Sequence, residues 1–210
     1  MVKRWLKYET EAKRQGFRFI LGVDEAGRGP LAGPVVAAAV CLKDFDFTCR
    51  IDDSKKLNPA AREKACGEIF QMAYVGIGII SEAAIDRINI LNATFRAMEG
   101  AVSQLIKQIS RDSKVLKNQV KILVDGNIFK SKLPYEVQTI VDGDGLSLSI
   151  ACASIIAKVY RDRMMNHYDR IFPQYGFKNH KGYATLRHRQ AIAQHGLSLI
   201  HRKSFQTISQ

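Results

Sequence analysis

Three groups of acidic residues share one kind of address in this chain. Asp24-Glu25 follows the apolar run 18–23, Asp125 follows 120–124, and Asp142 or Asp144 follows 135–141. An acid directly after a buried strand sits at a strand end, where open α/β sheets place their ligands. Carboxylates gathered at one such edge repel each other and resist ionising unless cations stand between them. Magnesium or manganese fits that demand, because hard divalent ions take carboxylate and water oxygens and also bridge phosphates. Each acid taken alone reads equally well as a turn or helix-cap residue; the repetition after three strands is what separates the two readings. Asp52-Asp53 is the contrast: it follows no long strand and precedes Lys55-Lys56, so local charge pairing on a loop is its expected role.

Other chemistries find less support. No His-Glu-x-x-His or Cys-His spacing for zinc occurs, and His167, His180, His188, His195 and His201 are expected at the surface or against phosphate. Gly27-Arg28-Gly29 lacks the Gly-Lys-Ser/Thr ending of a phosphate-binding loop. It also lacks dinucleotide spacing, and Asp24-Glu25 would repel a pyrophosphate. Two glycines do, however, let backbone N–H and C=O groups approach a ligand closely, so a sugar hydroxyl or a phosphate could sit there. Ser54-Lys55-Lys56-Leu57 offers a hydroxyl and two ammonium groups for phosphate.

The elements that must carry these residues follow from periodicity and punctuation. Residues 18–23 and 35–42 read as two buried strands around a Gly-Arg-Gly-Pro turn, resembling a hairpin. Asn58 caps and Pro59 starts a helix running to about residue 70, and 73–80 is a third strand. Ser81 caps a helical stretch, and a longer helix covers 91–109. Strands at 120–124 and 135–141 precede a long helix from about 147 to 172. Strands first, then helices between later strands, predict an α/β fold with a mixed sheet and helices on its faces. The boundary near Pro173 divides a catalytic domain, 1–172, from a small basic C-terminal segment, 173–210, that is either an extension or part of the same domain.

Composition narrows the partners. The 210 residues include 32 Lys and Arg against 20 Asp and Glu, a net charge of +12, as expected of a protein that meets polyanions. Asp169 is the last acid, and the basic tail beyond it interleaves Phe172, Tyr175, Phe177, Tyr183 and Phe205, aromatics suited to sugars and bases. The alternative for the tail is a solvated basic surface. Cys41, Cys49, Cys66 and Cys152 form no Cys-x-x-Cys pair and read as reduced thiols. The first 15 residues lack the apolar core of a signal peptide, and the longest apolar stretch, 31–42, is too short to span a bilayer, so a cytoplasmic protein without membrane contact is expected.

The segment Gly22-Val23-Asp24-Glu25-Ala26-Gly27-Arg28-Gly29-Pro30 resembles the signature of ribonuclease HII, the type 2 ribonuclease H family. Later segments agree in order: Asp53 to Leu57, Asn89-Ile90-Leu91, Val124-Asp125-Gly126-Asn127, Gly143-Asp144, Ala153 through Val159, and Phe172 through Phe177 with His180-Lys181-Gly182-Tyr183. The resemblance implies a ribonuclease H-like mixed sheet flanked by helices. It implies four carboxylates, Asp24, Glu25, Asp125 and Asp144, holding two Mn2+ or Mg2+ ions. Gly27, Arg28, Gly29 and Tyr183 would read the RNA-to-DNA junction, and Lys55, Lys56 and Lys181 would hold the backbone. Two positions depart from the pattern. Asp142 stands in place of a basic residue, adding a negative charge beside Asp144, and Leu148-Ser149 replaces the usual Pro-Glu ahead of the long helix.

The implied activity is hydrolysis of the RNA strand in RNA–DNA hybrids and cutting 5′ of single ribonucleotides in duplex DNA, leaving 3′-hydroxyl and 5′-phosphate ends. A monomer is expected, and protein partners are left open. The rivals are another two-metal nuclease of the same broad fold, with the carboxylates but no need of the Gly-Arg-Gly loop, and a non-catalytic duplex- or RNA-binding protein, for which charge and aromatics would suffice.

Overall fold

A computed structural model describes residues 5–208. Its centre is a five-stranded mixed sheet made of β1 (Phe19–Ala26), β2 (Val35–Leu42), β3 (Ala73–Ile80), β4 (Val120–Asp125) and β5 (Glu136–Ile140), in the order β3-β2-β1-β4-β5. The first three strands pair antiparallel, while β4 runs parallel to β1 and β5 parallel to β4. The expected hairpin, the mixed sheet and the later strand–helix alternation are all present.

Alternation along the strands sorts side chains between two helical layers. On one face Leu21, Val23, Val35, Ala37, Ala39, Ile122 and Val124 pack against the long helix α4 (Ile90–Asp112) through Ala97, Met98, Ala101 and Leu105. On the other, Ala38 and Val40 meet α2 (Pro59–Met72) and α5 (Leu148–Ile171). Gly22 of β1 is what lets α5 lie so close: a Cβ there would stand 2.1 Å from the Ser149 carbonyl carbon. The two predicted caps, Asn58 and Ser81, are in place, and Ser147 adds a third. Asn58 accepts from the Ala61 amide, Ser81 from Ala84 at the start of α3 (Glu82–Ile88), and Ser147 from Ile150 at the start of α5. Asn89, at φ 63°, is both the end of α3 and the cap of α4.

Two features departed from expectation. A helix α1 (Lys7–Arg14) precedes the sheet, and its Glu9 is buried against the start of α5. The C-terminal segment forms α6 (Phe177–His180) and α7 (Leu186–His195) around its own apolar cluster, in which Ala32, Met165, Tyr175, Phe177, Ala191 and Ile200 join the chain's end to α5 and the β1–β2 connection. Tyr175 and Phe177, read from sequence as aromatics available to a ligand, are therefore core residues, because a short segment of small helices needs apolar ballast of its own. His180, His188 and His201 are likewise buried rather than at the surface, while His167 and His195 are exposed. All four cysteines are free thiols, as expected. Among the described residues no helix is long and apolar enough to cross a membrane.

Candidate active site

Parallel pairing of β1 with β4 aligns Val23 with Val124, so Asp24 and Asp125 leave adjacent strands at the same edge. The chain after β5 returns there as well, and the Gly143 amide donates to Asp125 Oδ1 at 2.7 Å. This brings Asp144, buried in a single 3-10 turn, to the other side of Asp125. Asp142 adopts a left-handed conformation at φ 54° and is exposed, so of the two alternatives only Asp144 turns inward.

The electrostatics of the edge are those of crowded acids. Burial raises the Asp24 carboxyl well above the ordinary range, and the charges of Glu25 and Asp125 raise it further. Burial also raises Glu25, against the opposing charge of Arg28, whose Nη1 lies 3.2 Å from Glu25 Oε1. Asp125 is raised by burial, with the charge of Asp144 adding to it. Lys55 answers them: its Nζ is 3.2 Å from Asp144 Oδ2 and 3.8 Å from Asp53. Burial works against the Lys55 ammonium, but the hydrogen bond and charge of Asp144 outweigh it and raise its pKa.

These groups open onto a cavity of about 330 Å³ lined by Asp24, Glu25, Gly27, Arg28, Gly29, Ser54, Lys55, Asp125 and Tyr183. The two glycines have different jobs. Gly27 has φ +99°, and a Cβ there would fall 2.0 Å from Arg161 Nε, so only glycine fits. A Cβ on Gly29 would meet just the Tyr183 ring, at 3.8 Å, so this glycine leaves open the space facing the aromatic ring. Tyr183 is 47% exposed and is no core aromatic.

Other expected contacts are placed differently. The Ser54 hydroxyl is buried in the cavity floor, 2.9 Å from Ser154 Oγ. Lys56 turns to Asp52 at 3.7 Å, the pairing expected of the 52–56 loop. Lys181 donates to Asn166 and to the Lys178 carbonyl, away from the acids. Three lining residues received no role from the sequence: Ser154, Lys158 and Arg161, all on α5. Ser154 and Lys158 lie in the Ala153–Val159 segment that carries the resemblance, and the helical spacing of 154, 158 and 161 puts all three on one face of that helix.

The donor set suits a hard divalent cation, since it consists of carboxylate oxygens in which the charges of Glu25 and Asp125 raise the Asp24 pKa and that of Asp144 raises Asp125. Among the described residues no three His, Cys, Asp or Glu side chains are drawn together tightly enough to clasp an ion as they stand. The cations paired directly with these acids are Lys55, on Asp144, and Arg28, on Glu25.

Comparison with known proteins agrees with this geometry. Residues 21–208 match the family model described as ribonuclease HII. The ribonuclease HII of Ruminiclostridium cellulolyticum is 50% identical over 205 residues, covering 97% of this chain and 76% of that protein. Among solved structures, the ribonuclease HII of Archaeoglobus fulgidus in its complex with PCNA superposes with a TM-score of 0.70 at 25% identity, covering 90% of this chain and 95% of that one. Bst-RNase HIII in complex with Mn2+ shares the fold, with a TM-score of 0.65 at 18% identity over 92% of this chain and 69% of that one. A full-length match in sequence, a matching fold and acids gathered at one sheet edge leave one assignment: this chain is an endoribonuclease of the ribonuclease HII family.

Proposed function

We propose that this endonuclease cuts the RNA strand of RNA–DNA hybrids and also cuts on the 5′ side of single ribonucleotides embedded in duplex DNA, leaving 3′-hydroxyl and 5′-phosphate ends. The observation that carries the second activity is that Gly27-Arg28-Gly29 and Tyr183 line the same cavity as Asp24, Glu25 and Asp125. A group that senses sugars stands directly beside the groups that would cut.

Asp24, Glu25, Asp125 and Asp144 would hold two divalent ions, Mg2+ or Mn2+. Such ions supply Lewis-acid activation of the scissile phosphate and of the attacking water. The rest is done by the chain. Lys55 and Lys158 both line the cavity and would offer ammonium groups to phosphate, Lys158 from its pairing with Asp162 at 2.8 Å. Phosphate oxygens alone cannot distinguish RNA from DNA, so the 2′-hydroxyl must be read separately. Gly27-Arg28-Gly29 brings backbone within reach of that hydroxyl. The exposed Tyr183 ring, across from Gly29, can pack on the next sugar, where a second 2′-hydroxyl would crowd it.

The test is a DNA duplex carrying one ribonucleotide, digested with Mg2+ or Mn2+ and with EDTA. Metal-dependent cutting at the 5′ side of the ribonucleotide is expected. Tyr183→Ala is expected to lower that cutting by about a hundredfold, the scale of a lost positioning contact, with little change in melting temperature. Cutting on the 3′ side, or undiminished cutting by the variant, would show that the cavity does not read the junction as described.

A further inference from the structure

Gly29 and Tyr183 lie more than 150 residues apart in sequence, yet their segments meet: the Leu31 amide donates to the Gly182 carbonyl at 2.9 Å, and Arg161, in the cavity wall, donates to the carbonyls of Pro34 and Lys181 at 3.0 Å and of Ala32 at 3.1 Å. These bonds stop short of Tyr183 and of Gly27-Arg28, whose own backbone is held from behind the cavity by two adjacent buried residues, His201 and Arg202.

The protonation of the histidines follows from their backbone partners. The Ser198 amide lies 2.9 Å from His201 Nδ1, and an amide N–H only donates, so Nδ1 is the acceptor nitrogen. The proton of the neutral ring is then on Nε2, which is 3.0 Å from His188 Nε2. His188 must accept there, so it carries its own proton on Nδ1, 2.9 Å from the Tyr183 carbonyl oxygen, and donates to it. His180 gives an independent second hold. It accepts from the Gly182 amide on Nδ1 at 3.2 Å and so donates from Nε2 to the Tyr175 carbonyl at 2.9 Å. The His180 and His188 rings stack with centroids 4.3 Å apart. One directed chain of hydrogen bonds thus runs from Ser198 through His201 and His188 to the backbone of Tyr183. A charged ring at either position would set two N–H groups face to face.

Arg202 performs the same service for the other part. Its Nη2 donates to the Gly27 carbonyl at 2.6 Å and to Gly33 at 2.7 Å, and its Nη1 donates to the Arg28 carbonyl at 2.9 Å. The guanidinium is planar and presents its donors in a fixed fork, so it sets the loop's orientation as well as its position. Burial, and then the charge of Arg161, press its pKa down to about 9, which still leaves it charged at neutral pH. The Gly27 and Arg28 carbonyls are thus turned to Arg202, while the loop itself lines the cavity.

We propose that His201 and Arg202 act as one positioning unit, fixing the separation between the Gly27-Arg28-Gly29 loop and Tyr183 and thereby setting the preference for a ribonucleotide followed by a deoxyribonucleotide. This rests on the junction-reading role proposed above. Neither residue touches substrate; each acts through a backbone carbonyl that it holds.

Two measurements test it on the full chain. Long-range 1H–15N spectra of the wild type at neutral pH should show neutral rings with the proton on Nε2 in His201 and His180 and on Nδ1 in His188. Any other tautomer at His188 or His201 overturns the hydrogen-bond chain. The second measurement compares kcat/KM on a duplex with one ribonucleotide against kcat/KM on a continuous RNA–DNA hybrid. His188→Phe keeps the stacked ring and removes the bond to Tyr183, while Arg202→Lys keeps the charge and loses the fork. Each should lower the ratio of the two values about tenfold, the order expected from sub-ångström displacement of a positioning group. Melting curves identify a variant that fails to fold, in which case the other variant decides. A parallel fall on both substrates in folded protein overturns the specificity role. A wild type that cuts hybrids but not the embedded ribonucleotide overturns the junction reading itself, and that failure is told apart because it appears before any substitution is made.

Discussion

Asp125 is the residue at which repulsion and function can be separated. Its carboxylate raises the Asp24 pKa and is itself raised by burial and by Asp144. Asparagine keeps the acceptor for the Gly143 amide, 2.7 Å from Oδ1, but removes the charge. Asp125→Asn should therefore bind duplex, lose nearly all cutting, and melt no lower than wild type in EDTA because a like-charge contact is gone. Added Mn2+ should raise the melting temperature of the wild type more than that of the variant. Cleavage within a few-fold of wild type at saturating metal would remove Asp125 from the site. A sharper comparison concerns the two acids after β5. Asp144 is buried and paired with Lys55, whereas Asp142 is exposed in a left-handed turn. Asp144→Ala should abolish metal-dependent activity, and Asp142→Ala should leave most of it. Equal losses would mean that the fourth carboxylate has been misplaced by two residues.

At the scale of elements, α1 is tied to α5 by one buried acid. Glu9 Oε1 accepts from the Ser147 hydroxyl at 2.6 Å, the Ser149 hydroxyl at 2.8 Å and the Ser149 amide at 3.0 Å. This also accounts for the Leu148-Ser149 departure from the family pattern, since a glutamate at 149 would face Glu9 across a buried contact. Glu9→Ala removes the acceptor shared by two hydroxyls and the Ser149 amide, leaving the amide unpaired and the hydroxyls only each other to donate to, 3.1 Å apart, at the start of the helix that forms one wall of the cavity. It should cost about 2 kcal/mol, roughly 5 °C in melting temperature; an unchanged melting curve would show that the contact is incidental. The sequence could not reveal this link, because Glu9 has the local surroundings of a surface helix and its partners lie about 140 residues away. The strands and their acids were legible for the opposite reason: each carries its signal locally, as an apolar run ended by an acid or a glycine. Helices α2 and α3 were legible in the same way from their caps Asn58 and Ser81, and α5 from the helical spacing of its small and apolar residues. What local pattern could not show was which aromatics and histidines of the tail turn inward. Tyr175, Phe177, His188 and His201 alternate with polar residues in a way that gives no period, and only the packing of α6 and α7 on Ala32 and Met165 decides their burial.

For the molecule as a whole, the buried histidines and the buried acids pull stability in opposite directions as pH falls. Burial first, and then the charge of His188, press the His201 pKa from its ordinary value near 6.5 down to about 4, and burial lowers His188 as well. The folded ring stays neutral where the unfolded ring takes up a proton. Between those two values the unfolded chain therefore binds more protons, so stability is complete above about pH 6.5 and is lost progressively toward pH 4. For His201 alone the loss is at most about 3 kcal/mol. Asp24 works the other way: its raised pKa makes the folded state take up its proton first, which favours folding as the pH falls. The two contributions separate by substitution, because the acids are common to wild type and to His201→Gln while the buried imidazole is not. Urea unfolding measured from pH 7 to pH 4.5 should show the wild-type midpoint falling with acid. His201→Gln should start lower at neutral pH, having lost its hydrogen bonds to Ser198 and His188, but fall less steeply. Because His201 lies behind the cavity and away from the acids, the difference between the profiles should be the same with and without divalent ions. Parallel profiles for the two proteins would mean that His201 is protonated in the fold, which the directed hydrogen bonds from Ser198 to Tyr183 do not allow.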